Sequence, residues 1–309
     1  MKVYRSLEEF EKGKYCVATI GTFDGLHLGH KTILKRIQTL AKEKGGESLL
    51  ISFHPHPRLV IFPENNPLRL LHTLDEKIQM LEEMGLDKLL LIPFTKEFSR
   101  TSSKSFIRDI LSKQVGISHI VIGYDHHFGK NRTGGIEELR AYAPSLNYEV
   151  EEIPAQAIDD ANISSTKIRN ALLEGDVKTA QIYLGYEYGF SGKVVHGEKL
   201  GRKIGYPTAN MEPLDPLKLI PVDGVYFVRV IVGEEIYHGM ISIGVKPTVG
   251  EFNRSYEVNI FDFNRDIYDQ VIRVKFLEYI RGEKKFDSLP DLIKAIRQDE
   301  AFCRARMKE

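Results

Sequence analysis

Over residues 1–184 the chain alternates two hydrophobic patterns. Four short runs, CVATIG (16–21), SLLISF (48–53), KLLLIP (88–93) and HIVIG (119–123), are almost continuously apolar, as expected of strands covered on both faces. Between them, apolar positions recur at helical spacing. In 29–44 they are Ile33, Leu34, Ile37, Leu40 and Ala41, and similar stripes run through 74–84, 103–115, 166–174 and 176–184. This alternation predicts a parallel, doubly wound sheet. Ligands of such sheets bind beyond the carboxyl ends of the strands.

Past Gly185 the pattern shortens to a period of two. Segments 188–196, 225–232, 235–244, 254–262 and 271–280 are rich in Val, Ile, Tyr and Phe, with Gly, Pro, Asn or Asp between them. They predict a small antiparallel barrel or sandwich, followed by an amphipathic helix over about 288–300. The change of period divides the chain into expected domains 1–184 and 185–309. No internal repeat or low-complexity segment interrupts either.

Composition narrows the class. Of 309 residues, 42% are hydrophobic and 28% charged, which excludes a disordered chain. The balance of 43 Lys and Arg against 43 Asp and Glu speaks against a nucleic-acid partner. Two cysteines without a CxxC pair, Cys16 and Cys303, argue against a disulfide framework or structural zinc and for a reducing cytosol. The opening MKVYRSLEEFEKGKY is too polar for a signal peptide. No run reaches the roughly 18 apolar residues of a membrane span, so a cytoplasmic protein without a membrane partner is expected.

Candidate chemistry gathers after the first strand, in GTFDGLHLGH (21–30). Gly21, Gly25 and Gly29 permit tight turns and close approach of backbone to a ligand. Phe23 and Asp24 lie between them. A helix N-terminus there suits phosphate, and His27 and His30, three apart, can project together to neutralise charge during transfer. Neither a P-loop nor a GxGxxG fingerprint occurs. SFHPHP (52–57), with Phe53, His56 and Pro57, and GYDHHFG (123–129), with Asp125 and Phe128, follow the second and fourth strands at the same expected edge. In ISSTKIR (163–169) the hydroxyls of Ser164, Ser165 or Thr166 can cap a helix. Lys167 and Arg169 project from its first turn, where cations oppose the dipole unless an anion lies between them. In the second domain, GRKIGYPTAN (201–210) offers a phosphate-approaching loop with Gly201, Arg202 and Gly205. Thr208 and Asn210 point to one face of extended backbone and carry oxygens that suit Mg²⁺. Glu257 sits within a β-branched and aromatic run, where a carboxylate is commonly a cross-strand partner.

These motifs, with DGVYFVRV (223–230), IGVKPTVG (243–250), YEVNIFDF (256–263) and FLEYIRGEKKFDSL (276–289), resemble the bacterial bifunctional riboflavin kinase/FMN adenylyltransferase (FAD synthetase) family over essentially the whole chain and in the same order. HxGH is also the signature of the wider nucleotidyltransferase superfamily. The resemblance implies a Rossmann-like nucleotidyltransferase domain followed by a riboflavin kinase β-barrel with a C-terminal helix. It implies ATP as co-substrate, riboflavin, FMN and FAD as substrates and products, and a divalent metal, normally Mg²⁺. By position it assigns His27, His30 and Arg169 to the adenylyl transition state, and Gly21, Phe23, Asp24, Gly29, Ser165, Thr166, Lys167, Gly201, Arg202 and Gly205 to ATP or phosphate. It assigns Phe53, His56, Pro57, Asp125, Phe128 and Arg297 to flavin, Thr208 and Asn210 to metal, and Glu257 to the general base of the kinase. The chain departs from many members at the YDHHFG loop and at Asn259, where they carry His, and from some at Asn162, where they carry Arg. Two competing readings are an adenylyltransferase with a degraded kinase, disfavoured by Thr208, Asn210 and Glu257, and a flavin-binding sensor, disfavoured by the transition-state residues His27, His30 and Arg169.

Overall fold

The computed structural model describes residues 1–64, 68–124, 127–130, 133–154, 163–197, 200–248 and 251–308; Asp125 lies outside them. The apolar runs of the first unit, Met1–Ser164, are strands: β1 (Lys2–Tyr4), β2 (Cys16–Ile20), β3 (Glu47–His54), β4 (Lys88–Pro93), β5 (His119–Gly123) and β6 (Glu149–Ile153). They form one sheet in the order β1-β4-β3-β2-β5-β6, parallel at every pairing. All five residues of β2 and all five of β5 are buried, because the sheet is covered on both faces.

Alternate residues along the strands feed two cores. On one face Val17, Leu50, Leu89 and Val121 meet Ile33, Leu34, Ile37 and Leu40 of α1 (Leu28–Glu43). The short α2 (Pro57–Ile61) follows β3, and Leu81 of α3 (Leu74–Glu83) joins the same core. On the other face Ala18, Ile51, Leu90 and Ile120 meet Phe106, Ile107 and Leu111. Those residues belong to a π-helix over Phe106–Val115, which continues the short α4 (Ser103–Ser105). Leu139 of α5 (Ile136–Leu146) completes this core. From β2 the chain winds outward through β3 and β4, then restarts on the other side at β5. The carboxyl ends of β2 and β5 therefore flank the switch point, where ligands of such sheets bind.

The second unit, Ser165–Glu309, opens with α6 (Ser165–Leu173) and α7 (Val177–Leu184). A closed barrel follows, built from β7 (Gly189–Val195), β8 (Ala209–Pro213), β9 (Gly224–Val232), β10 (Glu235–Thr248), β11 (Glu251–Ile260) and β12 (Val271–Arg281), in the order β10-β11-β8-β7-β12-β9. A short α8 (Leu200–Lys203) lies between β7 and β8. Fully buried Tyr226, Val228, Val230, Ile241, Ile243, Val258, Val274 and Phe276 alternate along their strands, the period of two that predicted the barrel. A second apolar layer joins Val225, Phe227, Met240 and Phe261 to Ile296, Phe302 and Cys303 of α9 (Leu289–Arg306). This helix extends six residues beyond the expected end at about residue 300, and Arg304 in the added stretch pairs with Asp262 and Glu300.

The α/β architecture with a barrel and a terminal helix is the one expected. The elements without an expectation were β1, β6, α2, α5, β8 and α8. β1 and β6 are edge strands with charged residues, so neither carries an apolar run.

Arg281 of β12 holds α9 through paired bonds to the buried carboxylate of Asp299, at 2.8–3.1 Å. Asp299→Ala is expected to lower the stability of the second unit by about 3 kcal/mol, since an ion pair's remaining charge loses its partner. A shifted urea midpoint measures it.

Candidate functional site

The turn from β2 into α1 uses backbone that most residues avoid. Phe23, Gly25 and Leu26 have φ of 47°, 95° and 39°; only glycine adopts the second freely. The buried side chains of Phe23 and Leu26 anchor the other two. The buried Asp24 carboxylate accepts the N–H groups of Leu71 (3.0 Å) and His72 (3.2 Å), and Lys77 Nζ donates to the Thr22 carbonyl at 2.7 Å. His27 is the N-cap of α1, its Nδ1 accepting the His30 N–H at 3.4 Å. Gly29 is buried in the first turn of the helix. The His27 and His30 rings stack with centroids 3.6 Å apart, and Phe23 stacks on His30 at 4.5 Å.

Two imidazolium ions at that separation would repel, and the site disfavours a proton on His30. His30 is pushed well below its ordinary value, first by burial and then by His27, Lys77 and His72. Burial also lowers Lys77, with Asp24 opposing. His30 Nδ1 is buried and meets no hydrogen-bond partner among the described residues.

The neighbouring strand ends add an aromatic strip. Phe53 at the end of β3 contacts Phe94 (5.6 Å) and Phe98 (6.0 Å); Phe98 contacts Phe106, and Phe106 contacts Phe128 at 5.7 Å. His56 caps α2 by accepting the Arg58 N–H, and Pro57 opens that helix. Phe128 bridges to Gly134 through two backbone bonds of 3.0 and 2.9 Å. Gly21, Phe23, Asp24, His27, His30, Phe53, His56, Pro57 and Phe128 thus all lie in the first unit, at or after the carboxyl ends of β2, β3 and β5. Ser165, Thr166, Lys167 and Arg169 form the first turns of α6, in the second unit.

In the barrel, β8 and β11 pair with Asn210 opposite Glu257. Thr208 Oγ1 donates to Glu257 Oε2 at 3.2 Å, so the three oxygen-bearing side chains share one face, opposite that of buried Val258. Asn259 Nδ2 donates to the Pro207 carbonyl at 2.7 Å and fastens the incoming segment. Gly201, Arg202 and Gly205 lie in and just after α8; a Cβ at Gly201 would fall 2.2 Å from the Tyr206 carbonyl oxygen. A cavity of about 510 Å³ beside Thr208 is lined by Arg202, Val194, Val258, Ile267 and Tyr268 among others. Arg297 of α9 and Glu300 both engage the Tyr206 hydroxyl, which burial and Glu300 push to a raised pKa. Among the described residues no three His, Cys, Asp or Glu side chains group to hold a metal. Hydroxyl, amide and carboxylate oxygens at Thr208, Asn210 and Glu257 nevertheless fit Mg²⁺, which takes few protein oxygens and completes its shell with phosphate and water.

Residues 9–167 match the family model for FAD synthetase and residues 184–307 the model for riboflavin kinase. A bifunctional riboflavin kinase/FMN adenylyltransferase from Bacillus subtilis is 37% identical over 92% of this chain and 90% of its own length. The chain belongs to the bifunctional riboflavin kinase/FMN adenylyltransferase family. Members from Listeria monocytogenes (36% identity, 94% of this chain, 91% of theirs) and Escherichia coli K12 (34%, 98% and 97%) are also matched over nearly their full length. A crystal structure described as a macrolide-efflux protein from Streptococcus pneumoniae superposes with a TM-score of 0.87, at 32% identity over 98% of both chains. Among the described residues of the present family member, no helix is long and apolar enough to cross a membrane.

Lys77, the phenylalanines at 94, 98 and 106, Tyr206 and Tyr268 went unnoticed in the sequence. Lys77 alone left a signal: it stands on the stripe of Leu74, Ile78 and Leu81, where a charge is out of place.

The depressed His30 gives a signed expectation. As pH falls through 6.5, its ordinary value, the unfolded chain takes up a proton that the folded one refuses, and the first unit loses stability. Histidine NMR is expected to show His30 titrating well below 6.5, and added ATP to move its midpoint upward because a triphosphate favours imidazolium.

Proposed function

We propose that the chain makes FAD in two steps with ATP: residues 185–309 phosphorylate riboflavin to FMN, and residues 1–184 adenylylate FMN to FAD. The family matches, which end at residue 167 and resume at residue 184, support the division at 184/185. The single observation that carries the adenylyltransferase half is the stacked His27–His30 pair at the N-terminus of α1. The N–H groups that open α1, the helix dipole and two imidazoles there can receive a triphosphate.

In adenylyl transfer an FMN phosphate oxygen attacks the α-phosphorus of ATP, and the bond to pyrophosphate breaks. His27 and His30 stabilise the charge that builds on the phosphoryl oxygens. Gly21, Phe23, Asp24 and Gly29 shape the ATP-binding turn, while Ser165, Thr166, Lys167 and Arg169 serve phosphate, Arg169 at the transition state. Phe53, His56, Pro57 and Phe128 bind flavin; the half-buried rings of Phe53, Phe94 and Phe98 offer the apolar, flat contact an isoalloxazine takes.

In the kinase half, Glu257 accepts the proton of the riboflavin 5′-hydroxyl as that oxygen attacks the γ-phosphorus and ADP leaves. The bond from Thr208 and the register with Asn210 keep the carboxylate oriented. Gly201, Arg202 and Gly205 bind ATP phosphates beside the cavity at Thr208, whose lining joins apolar Val194, Val258 and Ile267 to polar Arg202, Asn264 and Arg265 and so can take both a nucleobase and its charged groups. Arg297 contacts flavin. Thr208 and Asn210 would hold Mg²⁺, which supplies Lewis-acid neutralisation of phosphate charge when bound. The cytoplasm is the proposed compartment, in keeping with two free, buried cysteines whose thiols burial pushes up to about 12.

Incubation with riboflavin, ATP and Mg²⁺, followed by chromatography, is expected to yield FMN and then FAD; neither product would defeat the proposal. His30→Ala is expected to slow FAD formation about a hundredfold or more while FMN accumulates. Glu257→Gln is expected to block FMN formation while supplied FMN is still adenylylated.

A further inference from the structure

A lysine inside an apolar helix face is expensive to keep. Lys77 is 9% exposed, on the side of α3 that packs into the core with Leu81, and an ammonium there forfeits most of its hydration. A methionine or leucine would fill the same space. The charge is retained at a particular place: Nζ lies 2.7 Å from the Thr22 carbonyl, which Ser52 Oγ also approaches at 3.4 Å.

Thr22 opens the strained segment, and the fastening has two points. Asp24, two residues on, receives the N–H groups of Leu71 and His72, immediately before the Thr73–Glu76 capping box that starts α3. Lys77, one turn into that helix, reaches back to Thr22. The two contacts bracket Phe23, whose φ is 47° and whose ring stacks on His30. We infer that Lys77 is a positioning residue for adenylyl transfer, its ammonium holding the Thr22 carbonyl so that the His27–His30 turn keeps the shape that receives the triphosphate. The inference rests on the adenylyltransferase reading of the first unit. Charge matters as well as the bond. The titratable groups in electrostatic reach are Asp24, which favours the ammonium, and His30, on which Lys77, His27 and His72 act together to disfavour a proton. The Lys77 ammonium, 2.7 Å from the Thr22 carbonyl, thus places a positive charge beside the turn that is to receive a polyanion.

The test uses the full-length chain with Lys77→Met, which removes charge and donor at similar volume, and Lys77→Arg, which keeps both. FAD formation from FMN and ATP, and FMN formation from riboflavin and ATP, are measured on each preparation. For Lys77→Met, kcat for FAD formation is expected to fall about a hundredfold, the scale of a small misplacement of reacting groups. KM for ATP should move far less, since the loss lies in the transition state, and riboflavin phosphorylation should be unchanged. Lys77→Arg is expected to recover most of the lost kcat. A Lys77→Met protein with wild-type kcat overturns the inference, as does a folded Lys77→Arg protein no better than Lys77→Met. If Lys77→Met leaves the first unit unfolded by circular dichroism, Lys77→Arg decides alone: retained kcat supports the inference, and a folded protein with lost kcat overturns it. A wild-type chain that forms no FAD from FMN defeats the adenylyltransferase reading itself, and this inference with it; wild-type turnover insensitive to Lys77 defeats only the inference.

Discussion

The turn between β2 and α1 is held in a conformation its own residues resist, and the first site depends on that constraint. Left-handed backbone costs about 1–2 kcal/mol for each residue bearing a Cβ, and both Phe23 and Leu26 adopt it. Burying a side chain of that size returns about 2–3 kcal/mol, and both are buried. The bonds from Lys77 to Thr22 and into Asp24 then fix which strained shape results. With the turn so held, His27 arrives at the N-cap and stacks on His30. The imidazoles and the N–H groups that open α1 share one location at the switch point of the sheet.

The barrel reaches a comparable result by register. In a closed sheet a one-residue slip of a strand would turn every side chain to the opposite face, and the buried residues Met211 and Val258 forbid it. Asn210 therefore stands opposite Glu257, and Thr208, two residues earlier on the same face, bonds the carboxylate. Neither device needs a global field. The chain carries 43 positive and 43 negative residues, and its proposed anion sites are built from helix ends, glycine turns and single side chains. The balanced charge carries no information on nucleotides.

Legibility tracked burial. The interior strands and helices showed as apolar runs and stripes because one or both faces are covered. The edge strands β1 and β6 lacked that signal, since charge on an edge discourages pairing with another chain. The motif residues after β2 were legible as glycine and histidine spacing, whereas their support was not. Asp24 bonds to residues 47 and 48 positions away, and the phenylalanine strip draws on four separate segments. Spacing along a chain carries no trace of such contacts; only Lys77, by breaking an apolar stripe, left one.

The central claim is that two constrained backbones carry two separable chemistries in one chain. Mixing His30→Ala protein with Glu257→Gln protein, and supplying riboflavin, ATP and Mg²⁺, tests it most directly. Each alone should leave riboflavin short of FAD, and the mixture is predicted to form FAD through FMN released by the first and used by the second. A mixture of folded proteins that accumulates FMN without FAD would contradict the account.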